Sequence, residues 1–114
     1  MIYFDNSATT PLAPEVIEAF TSYMNTSFGN PSSRHTLGLE AEKIVSSARV
    51  KVAKALGCSS DEVYFTSGGT EGDNIAILGG ANIKKGKRIV TTAVEHHAVL
   101  NTMKHLESLG FEVV

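Results

Sequence analysis

Residues 63–77 read VYFTSGGTEGDNIAI, so an apolar run leads into a glycine-rich turn and then into a second apolar, periodic run. The β-branched and aromatic side chains at 63–66 favour a β-strand. The turn at 67–70 is followed by residues with helical spacing. The first turn of a helix has unpaired N–H groups and a partial positive charge. This order of elements therefore predicts an anion site, and a phosphate group fits it.

The residue types alone leave two interpretations of this turn open. In the first, Gly68 and Gly69 let a ligand approach the backbone, and the hydroxyls of Ser67 and Thr70 add donors. In the second, the turn is an ordinary helix start, with Thr70 as N-cap and Asp73 completing a capping box. The turn is not a P-loop, because no Lys-Ser/Thr pair follows the second glycine. It is not a dinucleotide-binding fingerprint either, because its glycines have the wrong spacing.

Composition predicts a soluble globular chain of about one domain's length. The sequence has 114 residues, of which 42% are hydrophobic, and its net charge is −2. With no basic face, it favours neither nucleic acid nor an anionic membrane as a partner. The single cysteine fits a reducing compartment, so a cytoplasmic location is expected. No cluster of cysteine and histidine predicts a metal site.

Periodicity predicts a succession of helices and strands. The first helix starts near Pro14 and ends before Phe28, and the second covers Leu37–Leu56 and stops at Gly57, with Ser32 or Ser33 as its cap. Strand-like residues follow at 88–92, then a helix from Glu95 to Leu109 and a second strand start at 111–114. Short connections of this kind build a parallel sheet with flanking helices, an α/β fold.

Two segments follow the carboxyl ends of predicted strands. These are the turn at 67–70 and the dipeptide Glu95-His96. Ligands of parallel sheets bind beyond such ends, so both segments should lie on one rim. His96 and His97 are adjacent, and we expect His97 to point away from that rim.

Four motifs occur in order along the chain: FDNSATTP at 4–11, GNPSSRH at 29–35, FTSGGTEGDN at 65–74 and VEHHAV at 94–99. Together they resemble the N-terminal part of the cysteine desulfurases, which are pyridoxal-phosphate enzymes of the class V aminotransferase group. The resemblance covers all 114 residues but only the front part of a family chain. It implies the large domain of a fold-type I pyridoxal-phosphate transferase, with residues 1–14 lining the active site and 15–114 beginning that domain.

The resemblance also implies roles for single residues. Gly69 and Thr70 correspond to the cradle for the cofactor phosphate. His96 corresponds to the histidine that stacks on the pyridine ring and moves protons, while His97 occupies a variable position. The remaining candidates would line the substrate pocket: Asn6, Ala8, Thr9, Asn30 and His35.

The implied reaction converts L-cysteine to L-alanine and leaves the sulfur as an enzyme persulfide, which a sulfur acceptor such as an iron–sulfur scaffold protein then takes. The family forms homodimers. A selenocysteine lyase or another class V enzyme is an alternative, and a non-catalytic module that binds a phosphate ligand or a partner is an alternative of another class.

Parts of the family's catalytic machinery match nothing in these residues. The lysine that carries the cofactor and the cysteine that accepts sulfur lie further along a family chain. Cys58, after a predicted helix, is expected to be a small buried residue. The sequence also stops within a predicted strand at Val114, so we expect an N-terminal fragment that is inactive alone.

Overall fold

The computed structural model describes residues 2–83 and 85–114, so the predicted segment 1–14 is described from residue 2. The chain forms two compact units, Met1–Val63 and Tyr64–Val114. Its elements are, in order, α1 (Pro14–Thr26), α2 (Thr36–Leu56), a 3₁₀ turn (Ser60–Glu62), α3 (Gly69–Ile83), β1 (Arg88–Ile89), α4 (His97–Ser108) and β2 (Glu112–Val113).

Helices α1 and α2 of the first unit confirm the periodicity argument. Pro14 is the first residue of α1, where its fixed φ suits a helix and its missing N–H costs nothing. Helix α2 ends at Gly57, whose φ of 71° is left-handed, as expected for a glycine at this position. The predicted cap was wrong: His35 Nδ1, rather than Ser32 or Ser33, accepts a hydrogen bond from Gly38 N at 3.3 Å.

The loop before α2 is closed by backbone contacts that need glycine. A Cβ atom on Gly38 would collide with the Ser33 carbonyl and lie 2.8 Å from the Asn30 carbonyl oxygen. A Cβ atom on Gly29 would collide with the Leu37 carbonyl. The Asn30 side chain adds a bond, since its Oδ1 accepts from Ser32 N at 2.9 Å. The loop therefore has a defined shape that follows from its own residues.

In the second unit, α3 packs against α4, and β1 pairs with β2 in parallel. The register places Arg88 opposite Glu112 and Ile89 opposite Val113. Helix α4 supplies the buried residues, namely Ala98, Thr102, Met103 and Leu106. Gly110, with φ of 84°, turns the chain from α4 into β2. The β1–α4–β2 order with a parallel pair confirms the predicted α/β class.

Two local predictions were wrong. Residues 63–66 are not a strand, although Val63 has extended φ and ψ of −101° and 120°. A strand exists only where a neighbour pairs with it, and β1 and β2 are the strands found in the described part of the chain. Cys58 is exposed rather than buried, because it lies beyond the Gly57 turn that ends α2.

Helix α1 leaves its apolar side chains in solvent. None of its residues, all of which the structure describes, is buried. At least half of each of five large side chains is exposed: Val16, Ile17, Phe20, Tyr23 and Met24. Apolar surface gathered on one element is typical of a surface that another protein surface covers.

We therefore predict that the 114-residue chain expressed alone self-associates. Burial of the α1 apolar side chains between copies removes them from water, which favours association. Sedimentation velocity should show oligomers whose share rises with protein concentration. Phe20→Lys combined with Met24→Lys should reduce that share. A monodisperse monomer with a single cooperative thermal transition would contradict the prediction.

Candidate functional site

Helix α3 begins at Gly69, so Thr70 lies inside its first turn. The interpretation with Thr70 as N-cap and Asp73 in a capping box was therefore wrong. The Thr70 carbonyl instead accepts a hydrogen bond from Asn74 Nδ2 at 2.7 Å. The N–H groups in the first turn of a helix have no intrahelical partners. In α3 these include the N–H groups of Gly69 and Thr70.

The Glu71 carboxylate closes the turn before α3. Its Oε2 accepts from Ser67 N at 2.6 Å and from Ser67 Oγ at 2.7 Å. The backbone bond first, and then the hydroxyl bond, lower the pKa of Glu71 from 4.5. Both Ser67 donors are thus directed at Glu71, so the expectation that the Ser67 hydroxyl serves a bound anion does not match this arrangement. A carboxylate in the first turn is also stabilised by the helix dipole.

The glycines of this turn have no structural need within the chain. A Cβ atom on Gly68 or Gly69 would meet nothing within 4 Å. Neither glycine has a positive φ, unlike Gly57 and Gly110. Packing and backbone conformation would thus both tolerate a side chain here. The space in front of the α3 start is open, which fits a phosphate group that approaches the backbone closely.

His96 caps helix α4. Its Nδ1 accepts from Ala98 N at 3.1 Å, with the backbone extended at φ −62° and ψ 150°. A nitrogen that accepts a hydrogen bond carries no proton, so the neutral ring has its proton on Nε2. The cap therefore fixes both the tautomer and the orientation of the imidazole.

Thr70 and His96 line one hollow of about 290 Å³, together with Asn74, His97, Ala98, Asn101, Thr102 and His105. The predicted closeness of the α3 turn and His96 is confirmed by this shared hollow, but the predicted sheet rim is not, because no strand precedes the α3 turn among the described residues. The expectation that His97 points away is wrong, because its ring lies 6.2 Å from the His96 ring, at 60°, and lines the same hollow.

Several residues of this hollow were not predicted from the sequence. His97, Asn101 and His105 are four residues apart, which places them on one face of α4. That spacing was the signal that could have found them. Asn74 and Thr102 gave no such signal, since their contact joins residues that are far apart in the sequence.

The other candidate residues lie in the first unit, where the structure shows their local contacts. The Asn6 carbonyl accepts from Thr10 Oγ1 at 3.1 Å, and Thr9 Oγ1 lies 2.6 Å from the Tyr3 hydroxyl. Ala8 N donates to the Asp5 carbonyl at 3.1 Å. Asn30 accepts a hydrogen bond within the loop before α2, and His35 caps α2 itself. A place for these residues in the substrate pocket stays a prediction.

Metal binding and membrane insertion can be judged for residues 2–83 and 85–114. No group of three or more histidine, cysteine, aspartate or glutamate side chains there is arranged to hold a metal ion. No helix among them is both long and apolar enough to span a membrane.

The sequence model of the class V aminotransferases matches residues 2–114. The chain belongs to the class V aminotransferase family. It is 54% identical to a cysteine desulfurase IscS of Methanosarcina thermophila over 114 residues, which cover 98% of this chain and 28% of that protein. It is 53% identical to a cysteine desulfurase IscS of Dictyoglomus turgidum, over 98% of this chain and 29% of that protein.

Solved structures agree with the fold. A NifS-like protein matches with a TM-score of 0.88 and 43% identity, over 99% of this chain and 32% of that one. SspA in complex with cysteine matches with a TM-score of 0.84 and 38% identity, over 98% and 33%. The chain thus spans about a third of the length of these proteins.

The Ser67–Glu71 contact gives a pH-dependent prediction. The lowered pKa of Glu71 means that its contribution to stability is present above 4.5, its ordinary value, and is lost as the pH falls through the lowered value. Glu71→Gln should therefore lower the melting temperature at neutral pH and have a shrinking effect below pH 4.5.

The matched control is Glu107→Gln, which removes an exposed carboxylate on α4 without touching Ser67. Melting temperatures of wild type and both variants, measured from neutral pH to below pH 4.5, test whether the Ser67–Glu71 contact stabilises the fold. A Glu71→Gln effect that is constant with pH, or equal to that of Glu107→Gln, would show that the contact contributes nothing specific.

Proposed function

We propose that this chain is the front part of a pyridoxal-phosphate-dependent cysteine desulfurase. Such an enzyme takes the sulfur of L-cysteine onto one of its own cysteines as a persulfide and releases L-alanine. The observation that carries the proposal is the hollow shared by the α3 start, with Thr70, and by the capping His96. Relatives named cysteine desulfurase, and a related structure in complex with cysteine, support it.

The proposed phosphate site is the first turn of α3. The N–H groups of Gly69 and Thr70 would donate to the phosphate oxygens, and the positive end of the helix dipole adds attraction. The Thr70 hydroxyl would be a further donor, since Thr70 lines the hollow. The open space at Gly68 and Gly69 leaves room for the group. Bound pyridoxal phosphate supplies an electron-withdrawing ring that stabilises negative charge on the substrate carbon.

His96 would lie against that ring and handle a proton. Its Nδ1 is engaged by Ala98 N, so Nε2 is the nitrogen available for proton transfer. Because the cap fixes the ring plane, the imidazole needs little further ordering when substrate binds. The cofactor-bearing lysine and the sulfur-accepting cysteine would belong to parts of the protein outside these residues.

The remaining assignments complete the proposal. Residues 1–14 would border the active site and 15–114 would begin the cofactor domain. The substrate pocket would include Asn6, Ala8, Thr9, Asn30 and His35. The protein would act as a cytoplasmic homodimer that delivers sulfur to an acceptor such as an iron–sulfur scaffold protein.

The direct test is to purify the full-length protein that carries this chain and to supply L-cysteine. Alanine and sulfide should form in equal amounts in the presence of a thiol reductant, and the protein should show the visible absorbance of bound cofactor. Transamination without sulfide would contradict the desulfurase assignment in favour of another class V reaction. Selenide from selenocysteine with no sulfide from cysteine would indicate a selenocysteine lyase.

Two substitutions separate phosphate binding from proton transfer. Thr70→Ala removes a hydroxyl donor to a charged group, so the cofactor dissociation constant should rise about ten- to hundredfold. His96→Ala should retain the cofactor and its visible absorbance, but should lower turnover about 10²- to 10⁴-fold.

His97→Ala is the matched control, because His97 lines the same hollow without capping α4. It should change turnover by less than about tenfold, which is below the effect of a placed proton-transfer group. Full activity in His96→Ala together with an inactive His97→Ala would reverse the assignment of the two histidines.

A further inference from the structure

A buried hydroxyl joins the two helices that form the hollow. Thr102 is only 3% exposed, and its Oγ1 lies 2.8 Å from Asn74 Oδ1 on α3. The same oxygen lies 2.7 Å from the Ala98 carbonyl on its own helix. Among the described residues, no other side-chain hydrogen bond connects α3 with α4. The single hydroxyl proton of Thr102 is therefore shared between two acceptors, the Asn74 amide oxygen on α3 and the Ala98 carbonyl on α4.

The Asn74 amide continues this connection to Thr70. Its Oδ1 faces the Thr102 hydroxyl, and its Nδ2 donates to the Thr70 carbonyl at 2.7 Å. This amide orientation follows from its partners, since a carbonyl accepts only from the NH₂ side. The first turn of α3 is thereby tied to α4 at the level of the proposed phosphate site.

The connection reaches the imidazole on the other side. The Ala98 carbonyl faces Thr102, while the Ala98 N–H donates to His96 Nδ1 at 3.1 Å. A short path of polar contacts, in which Asn74 and the Ala98 carbonyl share the one Thr102 proton, thus runs from Thr70 to His96. Both ends of this path line the same hollow.

We propose that Asn74 and Thr102 form a positioning pair, which sets the distance between the phosphate-binding turn and His96. The proposal rests on the proposed function for the identity of the ligand. Phosphate and ring are parts of one rigid cofactor, so the two protein contacts must stand at a fixed separation to be made together. Neither residue need touch the reacting atoms. The pair acts through Thr70 and His96.

The test uses the full-length protein and compares Thr102→Val, Thr102→Ser and Asn74→Ala. Valine keeps the shape of threonine without its hydroxyl, and serine keeps the hydroxyl. Loss of one neutral hydrogen bond predicts about a three- to tenfold rise in the dissociation constant for pyridoxal phosphate in Thr102→Val. Thr102→Ser should stay within about twofold of wild type. The double variant Asn74→Ala/Thr102→Val should be no weaker than the weaker single variant, because the pair acts as a unit.

Met103→Ala is the matched control, since Met103 is a buried neighbour on α4 outside the hydrogen-bond path. It should lower the melting temperature but leave cofactor affinity within about twofold, because its loss is one of core packing. Equal loss of affinity in Met103→Ala and Thr102→Val would overturn the proposal in favour of general destabilisation. Additive effects in the double variant, or no rescue by serine, would also overturn it.

A cofactor-free readout separates this proposal from the proposed function. Gly72 N donates to the Gly68 carbonyl at 3.2 Å in the first turn of α3. Thr102→Val should speed hydrogen exchange at this amide about three- to tenfold relative to Met103→Ala, since a lost tie lets the turn open more often. If wild type fails to bind pyridoxal phosphate while this exchange effect appears, the proposed function fails and the positioning pair stands. Unchanged exchange in Thr102→Val overturns the pair itself.

Discussion

The packing of α3 against α4 is the contact on which the candidate site depends. Each helix contributes its N-terminal turn, and both turns border one hollow. One start offers backbone N–H groups and the other offers an oriented imidazole. Because the core of α4 is made by Ala98, Met103 and Leu106, with Leu106 only 1% exposed, the two starts are held by apolar burial as well as by the Thr102 hydrogen bonds.

The turn before α3 shows how an anion site can be ordered before its ligand arrives. Glu71 uses both Ser67 donors and so fixes the chain ahead of Gly68. The N–H groups of Gly69 and Thr70 lie in the first turn, which leaves such groups without intrahelical partners, and the space around the Cβ positions of Gly68 and Gly69 is open. A preordered turn loses less conformational entropy when it binds, which is the physical advantage of such an arrangement.

Helices were predictable from the sequence because their signals are local. The Pro14 start and the Gly57 and Gly110 stops depend on residues a few positions apart. The strand predicted at 63–66 was wrong, since a strand requires a partner strand from elsewhere in the chain, which these four residues do not specify. The α2 cap was predicted wrongly because His35 uses a ring nitrogen where Ser or Thr is the more common choice, and His96 caps α4 in the same way.

In the candidate site, too, local patterns were predictable and contacts between distant residues were not. Its two ends were found from motifs, because the glycine turn and the histidine pair each form a short contiguous pattern. The Asn74–Thr102 contact joins residues 28 positions apart and has no contiguous pattern. Whether His97 faces the hollow depends on the rotation of α4 about its axis relative to α3, and its position next to His96 in the sequence does not determine that rotation.

A crystal structure of the full-length protein with pyridoxal phosphate is the measurement that tests the account most directly. We expect phosphate oxygens about 3 Å from the N–H groups of Gly69 and Thr70, a hydrogen-bond distance. We also expect the His96 ring against the pyridine, with Nδ1 still accepting from Ala98 N. Phosphate bound away from the α3 start, or His97 in place of His96 against the ring, would contradict it.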